Sequence, residues 1–224
     1  MSSLFFSAKD LKMHPFFTED AFENFQTLVR PLILSLLKDR GQGNPELEML
    51  LLNRAANLRE TRPAHLTTSS VVLSPDRQQL LFLLHRKILE WVYPGGHPDG
   101  DWHLLRSALR ECFEETGLSA VEVLPPQFCA GHQAAVRCPQ LFQRFEIRAT
   151  AREPEHVHFD AVFVFQASSE VVAIEPLESS GSQWMDLATL KAHALRPLGE
   201  LSDGFDPLTA RVCLAAMQSA LGTV

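Results

Sequence analysis

Three glutamates, Glu111, Glu114 and Glu115, stand three and four residues apart within a stretch of helical pattern. On a helix that spacing sets side chains on one face, with Cβ atoms about 5–6 Å apart. Carboxylates held so close repel one another and raise one another's pKa unless a cation lies between them. A hard divalent ion such as Mg²⁺ removes the conflict, because it prefers carboxylate oxygens and keeps positions open for a substrate phosphate. The acids also fall in the last helical turn, at the negative end of the dipole, an unfavourable place without compensation. Taken alone, an R-E-x-x-E-E run is more often a solvated helix face. Its surroundings change the reading: Pro94, Gly95 and Gly96 precede the helix, and Gly117 and Leu118 follow it. Glycine lets the backbone approach a ligand closely and frees a carbonyl to join a metal sphere.

The segment from Gly96 to Leu118 resembles the Nudix box, G-x5-E-x7-R-E-U-x-E-E-x-G-U with U aliphatic. Gly96, Arg110, Glu111, Glu114, Glu115, Gly117 and Leu118 fall on its defined positions. The resemblance implies that Glu111, Glu114 and Glu115 bind Mg²⁺ or Mn²⁺, that Arg110 orients them, and that the Gly96 carbonyl is a further ligand. Two positions depart from the pattern: Trp102 stands where the box has its early Glu, and Cys112 where an aliphatic residue is usual. The first takes a charged partner away from Arg110, with Asp99 and Asp101 the nearby acids in a different register. The second is mild, since a free Cys behaves as a small hydrophobe.

Beyond the box, the segments around His65, His85–Trp91 and Pro94–Gly100 are similar to a bacterial Nudix subgroup with a helical N-terminal extension. The P-x-H-x-H-x-D segment Pro154–Asp160 and the Glu178-Ser179 pair ahead of Trp184 fit the same subgroup; Glu146-Ile147-Arg148 does not match its acid-x-His pair. On this resemblance Glu178 is the fourth carboxylate, and Arg86, Lys87 and His97 are substrate-binding residues. The implied reaction is hydrolysis of a phosphoanhydride in a nucleoside diphosphate linked to another moiety. The alternative is a Nudix-fold module that binds nucleotide without cleaving it, kept open by Trp102. His156, His158 and Asp160 alternate on a predicted strand and so share a face; they read as a pocket rim or sheet face, with a transition-metal site as the second reading.

The elements that must position these residues follow from pattern. Residues 1–62 read as a helical extension that packs or dimerises. Thr18 caps a helix whose apolar positions run from Phe22 to Leu37, broken at Pro31, and a second helix spans Glu46–Leu58. Residues 63–224 read as the catalytic domain, an α/β (α+β) sandwich with a mixed sheet. Strands are predicted at His65–Leu73, Gln79–His85, Leu89–Tyr93, Phe142–Thr150, Val157–Ala167 and Gln183–Asp186. Helices are predicted at His103–Thr116, Leu187–Ala194 and Pro207–Leu221. Phe163 and Phe165 are expected in the core.

Of 224 residues, 27 are acidic and 20 basic, a formal charge of −7. That balance opposes the cationic surface needed for nonspecific nucleic-acid binding. It also makes a phosphate substrate depend on a metal or on local Lys and Arg. The cysteines Cys112, Cys129, Cys138 and Cys213 form no C-x-x-C pair and read as free thiols. The N-terminal apolar run is too short for a signal peptide, and no stretch approaches the ~18 residues of a spanning helix. A cytoplasmic protein with a small-molecule substrate and no membrane partner is the expectation.

Overall fold

The computed structural model describes residues 5–7, 21–41, 43–124, 138–151 and 153–222; the expected Thr18 cap and Cys129 lie outside them. In chain order the elements are β1 (Phe5–Phe6), α1 (Ala21–Asn24), α2 (Arg30–Asp39), α3 (Pro45–Leu50), β2 (Ala64–Leu73), β3 (Gln79–His85), β4 (Trp91–Val92) and β5 (Gly95–Gly96). They continue with α4 (Leu104–Thr116), β6 (Val121–Val123), β7 (Leu141–Ile147), β8 (His156–Ala167), β9 (Ser179–Asp186), α5 (Leu187–Ala194) and α6 (Pro207–Leu221).

The sheet is mixed, and its centre is a parallel pair. β2 runs beside β8 from Ala64↔Val157 to Leu73↔Gln166. Parallel strands are stable where both faces are covered, and all ten residues of β2 are buried. Alternation divides them: Leu66 and Val72 face one core with Phe159, Ala161, Phe163 and Phe165 of β8, while Val71 and Leu73 face a second with Val162 and Val164. The first core is closed by α2, α3 and α4, the second by α6 and Leu190 of α5. The result is a helix–sheet–helix sandwich, as expected, with Phe163 and Phe165 in its core. On its outer edge β8 takes β7 along its first half and β6 along its second. The other edge of β2 meets Gly95 and Gly96 at Ser69 and Thr68, which brings the glycine loop onto the central strand. No helix of the described residues is long and apolar enough to cross a membrane.

Several boundaries move from their predicted places. The irregularity in the first helical region is a π-helical turn at Phe25–Val29, ahead of Pro31. Pro31 itself lies in the first turn of α2, directly after that π-helical turn. The second helix stops at Leu50 rather than Leu58. Beyond it the chain makes i→i−3 turns, the Asn53 side chain accepts the Ala55 N–H, and Leu58 is 42% exposed. The strand predicted at Leu89–Tyr93 contracts to two residues because Leu89 closes a turn on the His85 carbonyl at φ +56°. β9 begins four residues earlier than predicted, and the short strands β1, β5 and β6 were not predicted.

Candidate active site

The box helix α4 is fixed at both ends by chemistry visible in its sequence. At the start, Asp101 accepts the His103 backbone N–H at 2.9 Å and grips Arg106 through Nε and Nη2 at 2.5 and 2.7 Å. Burial works against this carboxylate, yet the bonds from His103 and Arg106 hold it at about 2. At the end, Gly117 takes φ +61°, a left-handed cap that suits glycine. A Cβ there would lie 2.8 Å from the Ala173 carbonyl oxygen. That close approach lets the segment from Ala173 dock on the helix terminus. The backbone N–H groups of Ala173 and Glu175 donate to the carbonyls of Thr116 and Glu115 at 2.8 and 3.1 Å. These bonds satisfy helix-end acceptors, and they deliver Glu178 to the acids of α4.

The result is a cluster of carboxylates. Glu115, only 8% exposed, accepts the Gly95 N–H at 2.9 Å, and the neighbouring Glu178 carboxyl opposes its ionisation. Glu111 lies one turn earlier and feels both Glu114 and Glu178. Burial, outweighing the attraction of Arg110 and reinforced by these acids, pushes Glu111 up to about 7. Glu115 is pushed up as well, first by burial and then by its carboxyl neighbours, despite the Gly95 N–H. Glu114 stands apart at the rim, its side chain 62% exposed and paired with Arg110 at 3.2 Å. The inward convergence on α4 therefore belongs to Glu111 and Glu115, with Glu178 completing the set.

Arg110 reaches Glu111 at 2.8 Å, donates to the His97 carbonyl at 2.8 Å, and lies 3.7 Å from Asp99. The loop–helix brace thus persists without a glutamate at position 102. Trp102 does something else. It is 5% exposed, its ring centroid lies 4.9 and 4.6 Å from those of Phe22 and Phe25, and its Nε1–H donates to the Arg54 carbonyl at 3.1 Å.

Gly96 backs directly onto the Glu111 carboxylate. A Cβ on it would sit 2.6 Å from Cδ of Glu111 and 2.7 Å from its Oε2. Gly96→Ala is therefore expected to displace the Glu111 carboxylate and lower divalent-ion-dependent turnover on the order of 10²-fold. Circular dichroism would stay that of the wild type. Unchanged kinetics in the alanine variant would remove Gly96 from the site.

A second expectation concerns pH and metal. Glu111 and Glu115 have folded-state pKa values raised above their ordinary ones. Their contribution to stability is full below the ordinary glutamate range and is lost as pH rises through the folded values, about 7 for Glu111. A divalent ion held by the deprotonated carboxylates would reverse this loss. The increase in Tm produced by Mg²⁺ should therefore be small at pH 5 and several-fold larger at pH 8. Differential scanning fluorimetry across that range checks it, and an Mg²⁺ effect independent of pH would contradict the carboxylate site.

The basic pair predicted for substrate lies beside Glu178. The Arg86 N–H donates to the Glu178 carbonyl at 2.8 Å, its Nε to the Ser179 carbonyl at 3.2 Å, and both Arg86 and Lys87 are exposed. His97 turns its ring toward His65, with Nε2 atoms 3.2 Å apart. His156 and His158 meet at 3.0 Å between Nε2 atoms. Asp160 does not join them. It is buried and accepts hydroxyls from Thr67 and Ser69 at 2.9 Å and from Tyr93 at 3.5 Å. Burial raises it to about 6 against those bonds. The residue that sequence reading left out of this group is His65, brought there by the parallel register His65↔His158.

A family model described as the NUDIX domain matches residues 63–203. A Danio rerio protein named m7GpppN-mRNA hydrolase NUDT17 is 30% identical over 137 residues, covering 55% of this chain and 42% of that protein. The chain thus spans about two fifths of the length of that curated relative. Among solved structures, a NUDIX-family hydrolase from Clostridium perfringens superposes with a TM-score of 0.51 at 20% identity, over 69% of this chain and 96% of its own. The NUDIX domain of Shewanella oneidensis NrtR, solved with ADP ribose, gives a TM-score of 0.44 at 16% identity, over 81% and 96%.

Proposed function

The chain belongs to the NUDIX domain family, and from that premise we propose that it hydrolyses a phosphoanhydride bond in a nucleoside diphosphate linked to another moiety, with Mg²⁺ or Mn²⁺ as cofactor. The observation that carries this reading is the meeting of Glu111, Glu115 and Glu178, with the Glu111 carboxylate seated directly against Gly96. The donor set fits a hard divalent ion: oxygen atoms only, crowded carboxylates, and Arg110 as the compensating cation. Glu111, Glu115 and Glu178 would hold it, with the Gly96 carbonyl nearby and Glu114 at the rim. Once bound, such an ion polarises the phosphate and lowers the pKa of an attacking water.

The chain's own residues supply the rest. Arg110, anchored on the His97 carbonyl and Asp99, fixes the rotamers of Glu111 and Glu114. Arg86 and Lys87, exposed beside Glu178, offset the charge of the substrate's phosphates in a protein of net charge −7. A carboxylate of the cluster takes the proton from water as it adds to phosphorus, and the bridging oxygen leaves with the second phosphate. The zebrafish relative is named for hydrolysis of the m7GpppN cap of mRNA, a nucleotide derivative with a phosphoanhydride chain, which agrees in class with this proposal.

A binding-only reading rested on Trp102. Its burial against Phe22 and Phe25, with Arg110 braced by other partners, gives that residue a packing role and supports hydrolysis. The test is a panel of nucleoside triphosphates, dinucleoside polyphosphates, capped RNA ends, nucleotide sugars, ADP-ribose and CDP-alcohols, with and without Mg²⁺ or Mn²⁺. Phosphate-bearing products that appear only with the ion are expected. Calorimetric heat on a ligand that is never cleaved would instead establish the binding module.

A further inference from the structure

Behind the glycine loop, four histidines from three stretches of chain form one cluster. His65 opens β2, His156 and His158 open β8, and His97 follows β5. The ring centroid of His65 lies 5.2, 5.1 and 4.6 Å from those of His97, His156 and His158. That of His158 lies 5.3 Å from His97 and 4.9 Å from His156. One ring nitrogen from each of His65, His156 and His158 falls within 4.8 Å of the others. We propose that His65, His156 and His158 bind a transition-metal ion of the zinc class, with His97 beside His65 at the edge of the site.

The distances suit such an ion. Metal–nitrogen bonds of about 2.0–2.1 Å in a tetrahedron put the nitrogens about 3.3 Å apart. The His156–His158 Nε2 pair is at 3.0 Å, and the ligand nitrogens of His65, His156 and His158 all lie within 4.8 Å of one another. The outer nitrogens are oriented as ligand histidines require. Nδ1 of His65 lies 3.0 Å from the Thr61 carbonyl, and Nδ1 of His156 lies 2.8 Å from that of Pro154. A carbonyl only accepts, so Nδ1 carries the proton in each ring and Nε2 presents its lone pair inward. The Arg62 guanidinium, at 3.4 Å from His65 Nδ1, is the more distant neighbour.

Chemistry separates this site from the carboxylate cluster. An all-imidazole set favours zinc, cobalt, nickel or copper over magnesium. Asp160, the nearest acid on the same strand face, is held by three hydroxyl groups instead. His65 and His156 so oriented offer an unprotonated Nε2, the form in which imidazole binds a metal. Without an ion the four rings pair as two imidazole hydrogen bonds, and that is the competing account of the cluster. The inference does not depend on hydrolysis, because none of its ligands belongs to the carboxylate set.

The test loads chelator-stripped protein with Co²⁺ in the presence of excess Mg²⁺, which occupies the hard site. One equivalent of Co²⁺ should give the visible absorption of a four-coordinate, nitrogen-ligated ion and be displaced by Zn²⁺. Glu115→Gln should keep this spectrum, while His158→Gln and His156→Gln should weaken Co²⁺ binding by at least about 100-fold. A measurement on the wild type alone covers the case in which a variant misfolds: with nitrogen-labelled histidine, Zn²⁺ should move the Nε2 resonances of His65, His156 and His158 together. Absence of the Co²⁺ spectrum, its loss in Glu115→Gln, or Nε2 resonances unmoved by Zn²⁺ would each overturn the proposal.

Discussion

Glu115→Gln is expected to lower Mg²⁺-dependent turnover on the order of 10³-fold or more while leaving a folded protein. Glutamine keeps the size of the side chain and an oxygen able to accept the Gly95 N–H, which now meets Glu115 Oε2 at 2.9 Å. What it lacks is the charge. At this position the charge is costly to the protein alone, because burial and the neighbouring Glu111 and Glu178 both oppose ionisation. A bound cation would offset that cost. Two measurements therefore move in opposite directions. The metal-free variant should be at least as stable as the wild type at pH 8, where the native glutamate is forced toward ionisation. The same variant should show a much smaller Mg²⁺-induced rise in Tm and negligible turnover on the substrate found by the panel. Full turnover in Glu115→Gln would remove this residue from the chemistry, and a large loss of metal-free stability would mark it as structural.

This part of the site was legible because it is local. Glu111, Glu114 and Glu115 lie within five residues, and the end of α4 is announced by Gly117. Even so, spacing alone could not tell which acids turn inward. Glu111 and Glu114 are equally placed on paper, yet the docking of Ala173 and Glu175 on the helix terminus orients the inner face toward Glu178 and leaves Glu114 to Arg110. The histidine cluster shows the opposite limit. His156 and His158 were legible as a pair by strand alternation, and Asp160 joined them by the same rule. His65 lies 91 residues before His156, and only the parallel register of β2 and β8 brings it in. Alternation likewise does not reveal that Thr67 and Ser69 on the facing strand bind Asp160. Helix ends failed where side chains compete with the backbone: Asn53 diverts the chain at the end of α3 by bonding to Ala55 N–H, a local choice that apolar spacing does not encode.

Trp102 carries the largest expected effect on stability. Trp102→Ala should cost about 3–5 kcal/mol, which for a domain of this size corresponds to a fall in Tm on the order of 10 °C. The side chain is 5% exposed, lies within 5 Å of the Phe22 and Phe25 rings, and closes a hydrogen bond on the Arg54 carbonyl. Removing it opens a cavity between the N-terminal helical segment and α4 and leaves that carbonyl without its indole partner. Trp102→Glu restores the residue found at this position in the Nudix box, and it separates two accounts of the departure. If position 102 still needed an acid to brace Arg110, the glutamate would raise turnover at little cost. The structure gives Arg110 the His97 carbonyl and Asp99 instead, so a glutamate here would be a carboxylate buried among phenylalanines. Trp102→Glu should therefore destabilise at least as much as Trp102→Ala and give no gain in turnover per folded molecule. Chemical denaturation and active-site titration of both variants measure these outcomes together. A glutamate variant as stable as wild type and faster would show that the brace, rather than the N-terminal packing, governs position 102.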